Sequence, residues 1–233
     1  MIKKYFTLSF DDGIEQDKRL VEILRKYNLK ATFNINTGLL GTSMDLRSLG
    51  INADHNAITE NDIQNGLYNG FEVSVHTLNH PSLASLKRDD IIKEVKTDSD
   101  NIERLTGTRP IGMAYPGGTV DSFNDNVIDI IVKNTEIRYA RTSLTTKSFK
   151  LPDCFMKWDA TCHVMDDDLL KLSEEFINIK PKEQNLLFYV WGHSYEFDQF
   201  DAWDRFEEFC RYISEREDIL YNTNGEIYLK FGC

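Results

Sequence analysis

The sequence predicts an α/β fold of parallel strands joined by crossover helices, and three observations lead there. Short apolar runs alternate about seven times with amphipathic helical stretches along the 233 residues. The first run, 5–10, is too short and too apolar to sit at a sheet edge. Several runs end in polar clusters, namely Asp11-Asp12-Gly13, His76-Thr77-Leu78-Asn79-His80 and Trp191-Gly192-His193, as expected where loops gather at the C-terminal ends of strands. The pattern admits either a barrel or an open doubly wound sheet. No Pro/Gly/Ser-rich linker divides the chain, so 1–233 is expected to form one domain.

The elements follow in order. After the Asp-Asp-Gly turn, Leu20, Ile23, Leu24 and Tyr27 repeat at helical spacing, predicting a helix over 17–27 with Asn28 as its stop. A strand is expected at 31–36. The polar, Gly-bearing segment 37–58 is too long for an ordinary connection and reads as an active-site flap or a surface insertion. Thr59 with Asp62 signals a helix start, the helix running to about residue 68, and 71–75 is the third strand. A long helix is expected over 87–105, capped by Ser85, apolar at Ile91, Ile92, Val95, Ile102 and Leu105, and ended by Gly107 and Pro110. Then come a short strand at 110–114, a Tyr-Pro-Gly-Gly turn, a helix over 121–134 and a strand at 138–140. The stretch to Trp158 carries no clear pattern. Last come a helix over 166–177, a strongly apolar strand at 186–190, a helix through Trp203, Phe206, Phe209, Cys210 and Ile213, and a short strand at 219–221.

Bulk properties exclude some functions. With 27 Lys+Arg against 38 Asp+Glu, the net charge of −11 argues against nucleic-acid or anionic-membrane partners. An aromatic content of 12% suits walls that stack on apolar ligand faces. Cys154, Cys162, Cys210 and Cys233 show no CxxC spacing. Neither thiolate metal binding nor a disulfide framework is therefore expected, and Cys154 and Cys210 read as small buried apolar groups. No signal-peptide core and no apolar run near membrane-spanning length appears, which leads to the expectation of a cytoplasmic protein.

The polar clusters carry the chemistry. Adjacent residues on an extended chain point opposite ways, so Asp11 and Asp12 are expected to do different jobs. Two of the five histidines, His76 and His80, stand four apart at a strand end and converge on one ion if the stretch turns helically. With Asp12 they make a His₂-carboxylate set suited to one divalent ion, Zn²⁺ foremost, with Co²⁺, Ni²⁺ or Mn²⁺ as alternatives. No Glu lies between the histidines, so the base must come from elsewhere, and Asp11 is the adjacent candidate. His193, among nearby carboxylates, suits a general acid approaching from the opposite side of the mouth. A backbone N–H in the turn Met113-Ala114-Tyr115-Pro116-Gly117-Gly118 can polarise a carbonyl. Asp159 is a candidate to orient His193, and His163 to touch substrate. For each histidine the alternative is a packed or surface side chain.

Taken in order, Ser9-Phe10-Asp11-Asp12-Gly13, His76-xxx-His80, a Pro/Gly turn and a strand-terminal His193 resemble the polysaccharide deacetylase family, carbohydrate esterase family four with its NodB-homology domain. The resemblance implies a distorted (β/α) barrel of about seven strands. It implies Asp11 as base, Asp12, His76 and His80 as metal ligands, and His193 as acid. It also implies the Gly117 N–H as oxyanion donor and Asp159 as the carboxylate behind His193. The family's third motif offers an Arg, which holds the base, followed by Pro-Pro-Tyr. Here the aligned stretch is Ala114-Tyr115-Pro116-Gly117, which leaves Arg109 or Arg141 to substitute. The implied activity is metal-dependent removal of acetyl groups from an N- or O-acetylated sugar, with Trp158, Trp191, Tyr115 and Tyr195 as ring-stacking walls. Rival readings are a hydrolase of a non-sugar amide or cyclic ureide, and a carbohydrate-binding relative without turnover. Polymer and small-molecule substrates differ in needing an open groove or a closed mouth.

Overall fold

The computed structural model describes residues 2–232, so Met1 and the expectation for Cys233 lie outside it. The chain runs β1 (Lys4–Asp12), α1 (Asp17–Lys26), β2 (Thr32–Ile35), β3 (Ser43–Met44), β4 (His55–Asn56), α2 (Glu60–Gln64), β5 (Glu72–Val75) and α3 (Arg88–Thr106). It continues through β6 (Gly112–Ala114), α4 (Asp125–Asn134), β7 (Tyr139–Thr145), β8 (Trp158–Ala160), β9 (Cys162–His163), α5 (Leu169–Asn178) and β10 (Leu186–His193). The last elements are α6 (Tyr195–Gln199), α7 (Trp203–Ile213), β11 (Ile219–Tyr221) and α8 (Asn224–Phe231).

Nine strands form one parallel sheet in the order β8-β7-β6-β5-β2-β1-β10-β9, with β11 beside the start of β1. The open-or-closed question is settled by residues 158–163. Trp158 and Ala160 pair with Arg141 and Thr145 of β7, while Cys162 and His163 pair with Val190 and Trp191 of β10. Between them the Thr161 N–H donates to the Tyr189 carbonyl at 2.8 Å. One short stretch thus changes partners midway and joins the two ends of the sheet. The result is a distorted parallel barrel with seven strand positions, surrounded by helices.

Strand alternation sorts the side chains into two cores. Phe6, Leu8 and Phe10 of β1 face outward, with Phe6 and Phe10 against Phe209 and Phe206 of α7 at ring separations of 6.1 and 5.9 Å. Each such fully buried aromatic contributes about 1.5–3 kcal/mol. Tyr5, Leu187, Tyr189, Trp191, Tyr139 and Trp158 belong to a smaller cluster that fills the barrel. The same alternation puts Asp11 and His193 on the inner side at the C-terminal ends of neighbouring strands, where they are register partners.

Several expectations shift. Helix α4 starts at Asp125, because Asn124 caps it by accepting from the Val127 N–H. Lys87, not Ser85, precedes α3, while Gly107 ends that helix at φ +74°. The patternless stretch before Trp158 leads into barrel closure, and the C-terminal α8 has no counterpart in the expected elements. Cys210 is buried as expected, but Cys154 is exposed, since it sits on the loop before β8; Cys162 is buried as well. No helix among the described residues is long and apolar enough to cross a membrane.

Candidate active site

A cavity of about 400 Å³ opens at the C-terminal ends of β1, β5, β6, β7 and β10. Its polar floor includes Asp11, Asp12, His76, His80, Arg141 and His193. Both acids face it, although alternation along a regular strand would point them to opposite sides. Asp12 lies at φ +80°, so the chain turns back before the next residue. Gly13 continues the turn at φ +65°, and a Cβ there would stand 2.8 Å from Ile35 Cγ2.

Asp12 is the hub of one cluster. Its Oδ1 lies 3.5 Å from His76 Nε2 and 3.7 Å from His80 Nε2. The ligand atoms of these three residues all fall within 4.8 Å of one another. The 76–80 stretch does not turn helically. Left-handed residues at Thr77 (φ +67°) and His80 (φ +58°) fold it back instead, bringing the two imidazole centres to 4.9 Å. Around it the scaffold is firmly bonded. Asn36 Nδ2 donates to the His76 and Thr77 carbonyls, and buried Asp98 accepts from the His76 and Thr37 N–H groups. His76 Nδ1 donates to the Ala114 carbonyl at 2.9 Å, leaving Nε2 as a lone-pair donor facing Asp12. This donor set fits a divalent ion: a carboxylate and two imidazoles converge, with the tautomer of the buried one fixed.

Electrostatics separates the roles of the histidines. Burial would raise Asp12, but the hydrogen bond with His55 and the facing His76 and His193 outweigh it and hold the carboxyl well below its usual range. Burial, which favours the neutral ring, is outweighed at His76 by Asp11 and then Asp12, so its pKa is raised. Desolvation in the pocket and the neighbouring His76 push His80 down to about 4.

Asp11 is held differently. Asn34 Nδ2 donates to its Oδ1 at 2.9 Å, and Arg141 Nη2 binds its Oδ2 in a buried ion pair. Burial alone would raise the Asp11 pKa; Arg141, then His76 and His193, outweigh burial and lower it. Arg141, on β7, is fixed in turn by the Thr142 carbonyl at 2.7 Å and by the Trp191 ring, 4.2 Å from its guanidinium carbon. Of the two arginines considered for the missing third-motif residue, Arg141 reaches Asp11. Arg109 lies in a partly exposed network with Asp100, Glu103 and Glu136.

His193 lies across β1 from the His76 strand. Its Nδ1 is 3.5 Å from Glu196 Oε2, and Glu196 accepts the His193 backbone N–H at 2.9 Å and faces His163 Nε2 at 3.2 Å. Burial favours the neutral His193 ring, but Glu196, with Asp12 and Asp11, raises it to about 9. Glu196 is brought down to about 2: burial opposes this, and His163 and His193 outweigh it.

Other expected residues are placed elsewhere. Asp159 does not back His193; it accepts from Thr142 Oγ1 on the adjacent strand, and Glu196 holds the backing position. His163 packs edge-on against Trp191 and pairs with Glu196, behind His193 rather than in the cavity lining. Trp158 is 1% exposed inside the barrel between Tyr139 and Tyr189, so it is no substrate wall. The Tyr115 ring stacks on Phe123 at 4.1 Å and its hydroxyl donates to the Met156 carbonyl, which takes up both its face and its polar tip. Trp191, Tyr195 and Gly117 do line the cavity, as does Tyr115 despite its stacked ring, with Gly117 at φ +70°. His55 is a site residue without a motif to announce it: its Nε2 lies 3.2 Å from Asp12 Oδ2. Its one sequence signal is its place in the overlong 37–58 segment.

Comparison with known proteins agrees with this architecture. The polysaccharide deacetylase family model matches residues 1–140, and the chain belongs to that family. Over 120 residues it is 28% identical to a peptidoglycan-N-acetylglucosamine deacetylase of Bacillus cereus, covering 51% of this chain and 38% of that one. Over 107 residues it is 28% identical to an uncharacterized 30.6 kDa protein of Geobacillus stearothermophilus, covering 45% of this chain and 34% of the other. The match thus spans little more than a third of each relative. Among solved structures, the Xyl-CE4 domain of a multidomain xylanase from the hindgut metagenome of Trinervitermes trinervoides superposes with TM-score 0.56 at 16% identity, covering 100% of this chain and 92% of that one. A family 4 acetyl xylan esterase from Clostridium thermocellum, solved with a cobalt ion, gives 0.56 at 17%, covering 98% and 92%. A 4-alpha-glucanotransferase from Thermococcus litoralis gives 0.67 at 13%, covering 99% and 41%. At these identities the likeness is one of fold.

Proposed function

We propose that this chain is a metal-dependent hydrolase that removes acetyl groups from an N- or O-acetylated carbohydrate, with residues 1–233 as one catalytic domain and 37–58 as its flap. One observation carries the reading. A buried, Arg-paired carboxylate, Asp11, stands between a convergent Asp12–His76–His80 donor set and a Glu-backed His193. Family membership supports it.

Asp12, His76 and His80 would hold a divalent ion, Zn²⁺ foremost, which would supply Lewis acidity toward the acyl carbonyl and lower the pKa of water toward neutrality. Asp11, kept ionised by Arg141 and aimed by Asn34, accepts a proton from the attacking water. The Gly117 N–H donates to the developing oxyanion, a contribution of about 3 kcal/mol for a well-placed donor. His193, protonated at neutral pH beside Glu196, delivers a proton to the departing amine or alcohol.

The test is acetate release from N-acetylated glucosamine oligomers and acetylated xylan by zinc-loaded protein, before and after chelation. Release that stops on chelation and returns with Zn²⁺ supports the reading. Equal release with and without metal contradicts metal dependence, and no release from either substrate contradicts the carbohydrate assignment.

A further inference from the structure

The cavity wall divides by origin. Its polar groups come mainly from the strand ends, whereas its aliphatic face comes from 37–58. Leu39, Met44, Leu46, Leu49 and Ile51 line the cavity, yet none belongs to either hydrophobic core. Leu49 is 74% exposed. These side chains stand on a bonded frame. The Gly38 N–H donates to the Leu78 carbonyl at 2.9 Å, Gly41 to Ile58 at 2.9 Å, and Ile58 to Gly13 at 3.0 Å. The Glu15 N–H donates to the Asn56 carbonyl at 2.8 Å, β3 pairs with β4, and His55 reaches Asp12. The apolar wall is therefore preformed beside the reacting centre.

Such a wall is poorly matched to a glycan surface. Sugar hydroxyls set against aliphatic side chains lose water without gaining partners, and of the four expected aromatic walls Trp158 is packed inside the barrel while Tyr115, which lines the cavity, has one ring face stacked on Phe123. The volume of about 400 Å³ lies in the range of small-molecule sites. Given the hydrolytic reading of the site, we infer that the 37–58 segment is a specificity element. It receives the aliphatic portion of a small amphiphilic amide or ester whose polar, acylated end lies over Asp11 and Asp12. Within the acetylated-carbohydrate reading, the substrate class narrows from a polymeric glycan to a small acylated sugar that carries several contiguous methylenes on the acyl or the leaving-group side.

Two probe series test this on the zinc-loaded protein. One is 4-nitrophenyl acetate, butyrate, hexanoate and octanoate; the other is methyl, butyl and hexyl acetate. The expected result is a kcat/KM that rises in one series by about fourfold per buried methylene. In Leu46→Asn/Ile51→Asn the ratio between the longest and shortest members should collapse towards one. Calorimetric titration of Asp11→Asn with n-alkyl carboxylates and n-alkylamines gives a readout independent of turnover, and affinity should climb with chain length in one of the two. Hydrolysis of the acetates with flat profiles in both series overturns the aliphatic assignment and leaves the hydrolase standing. No hydrolysis of any probe, with length-dependent binding retained, overturns the hydrolase and leaves the subsite. Length dependence unchanged in the double variant overturns the assignment of the wall to 37–58.

Discussion

Replacing Arg141 with Met should destabilise the protein strongly, and replacing Asp11 with Asn alongside it should restore most of the loss. The pair is buried on both sides, at 1% and 3% side-chain exposure, so Arg141→Met leaves the Asp11 carboxylate without its counterion. Breaking such a pair on one side costs about 3–5 kcal/mol, whereas replacing both partners by neutral groups is often close to neutral. For a chain of this size the single variant should melt about 6–20 °C lower. The loss should depend on pH. Without Arg141, burial is opposed only by His76 and His193, so the folded-state pKa of Asp11 rises relative to wild type. The destabilisation relative to wild type is therefore smaller at low pH, where Asp11 is protonated, and grows as pH rises through that window. Urea unfolding at pH 5 and pH 8, followed by circular dichroism, reads both effects. A loss under about 1 kcal/mol, or a double variant no more stable than the single one, would refute the claim that Arg141 holds Asp11.

Three further outcomes are expected. His76→Ala should lose stoichiometric zinc by elemental analysis, since it removes the donor whose tautomer Ala114 fixes; a variant that keeps one ion per chain places the metal elsewhere. Glu196→Gln removes the main partner that lifts His193 to about 9, so the alkaline limb of the kcat profile should move to lower pH. An unmoved limb means that Glu196 does not tune His193. Asp17, which accepts from Tyr68 and Ser194, is raised by burial to about 7. Its raised folded-state pKa stabilises the fold at low pH, and that contribution falls as pH rises from about 4 to about 7, by up to about 4 kcal/mol. The difference between wild type and Asp17→Asn in denaturant unfolding should show this slope, and parallel curves would contradict it.

The parts of the site that follow strand ends are legible in the chain. Asp11-Asp12, His76 and His193 each terminate an apolar run, and a parallel sheet gathers such ends at one mouth. What depends on register across the barrel is not legible. Arg141 meets Asp11 over 130 positions of sequence, and nothing local to either residue separates Arg141 from Arg109. Barrel closure rests on 158–163, a stretch too short and too mixed in composition to show a period. The inward turn of Asp12 is a single left-handed residue, invisible to an alternation rule. Glu196 stands three positions after His193, where the turn after β10 brings it back beside the ring, whereas the family resemblance implies Asp159, which lies on Thr142 instead. The α8 start was equally open to reading, because Thr223 and Glu226 form a capping box.

The most direct test of the central claim, that Asp11 moves the proton while Asp12, His76 and His80 hold the ion, is a paired measurement on Asp11→Asn. Zinc content and acetate release are determined on the same preparation. The predicted result is one equivalent of zinc with release abolished. Zinc lost along with release would make Asp11 a ligand, and release near the wild-type rate with zinc bound would remove it from the reaction.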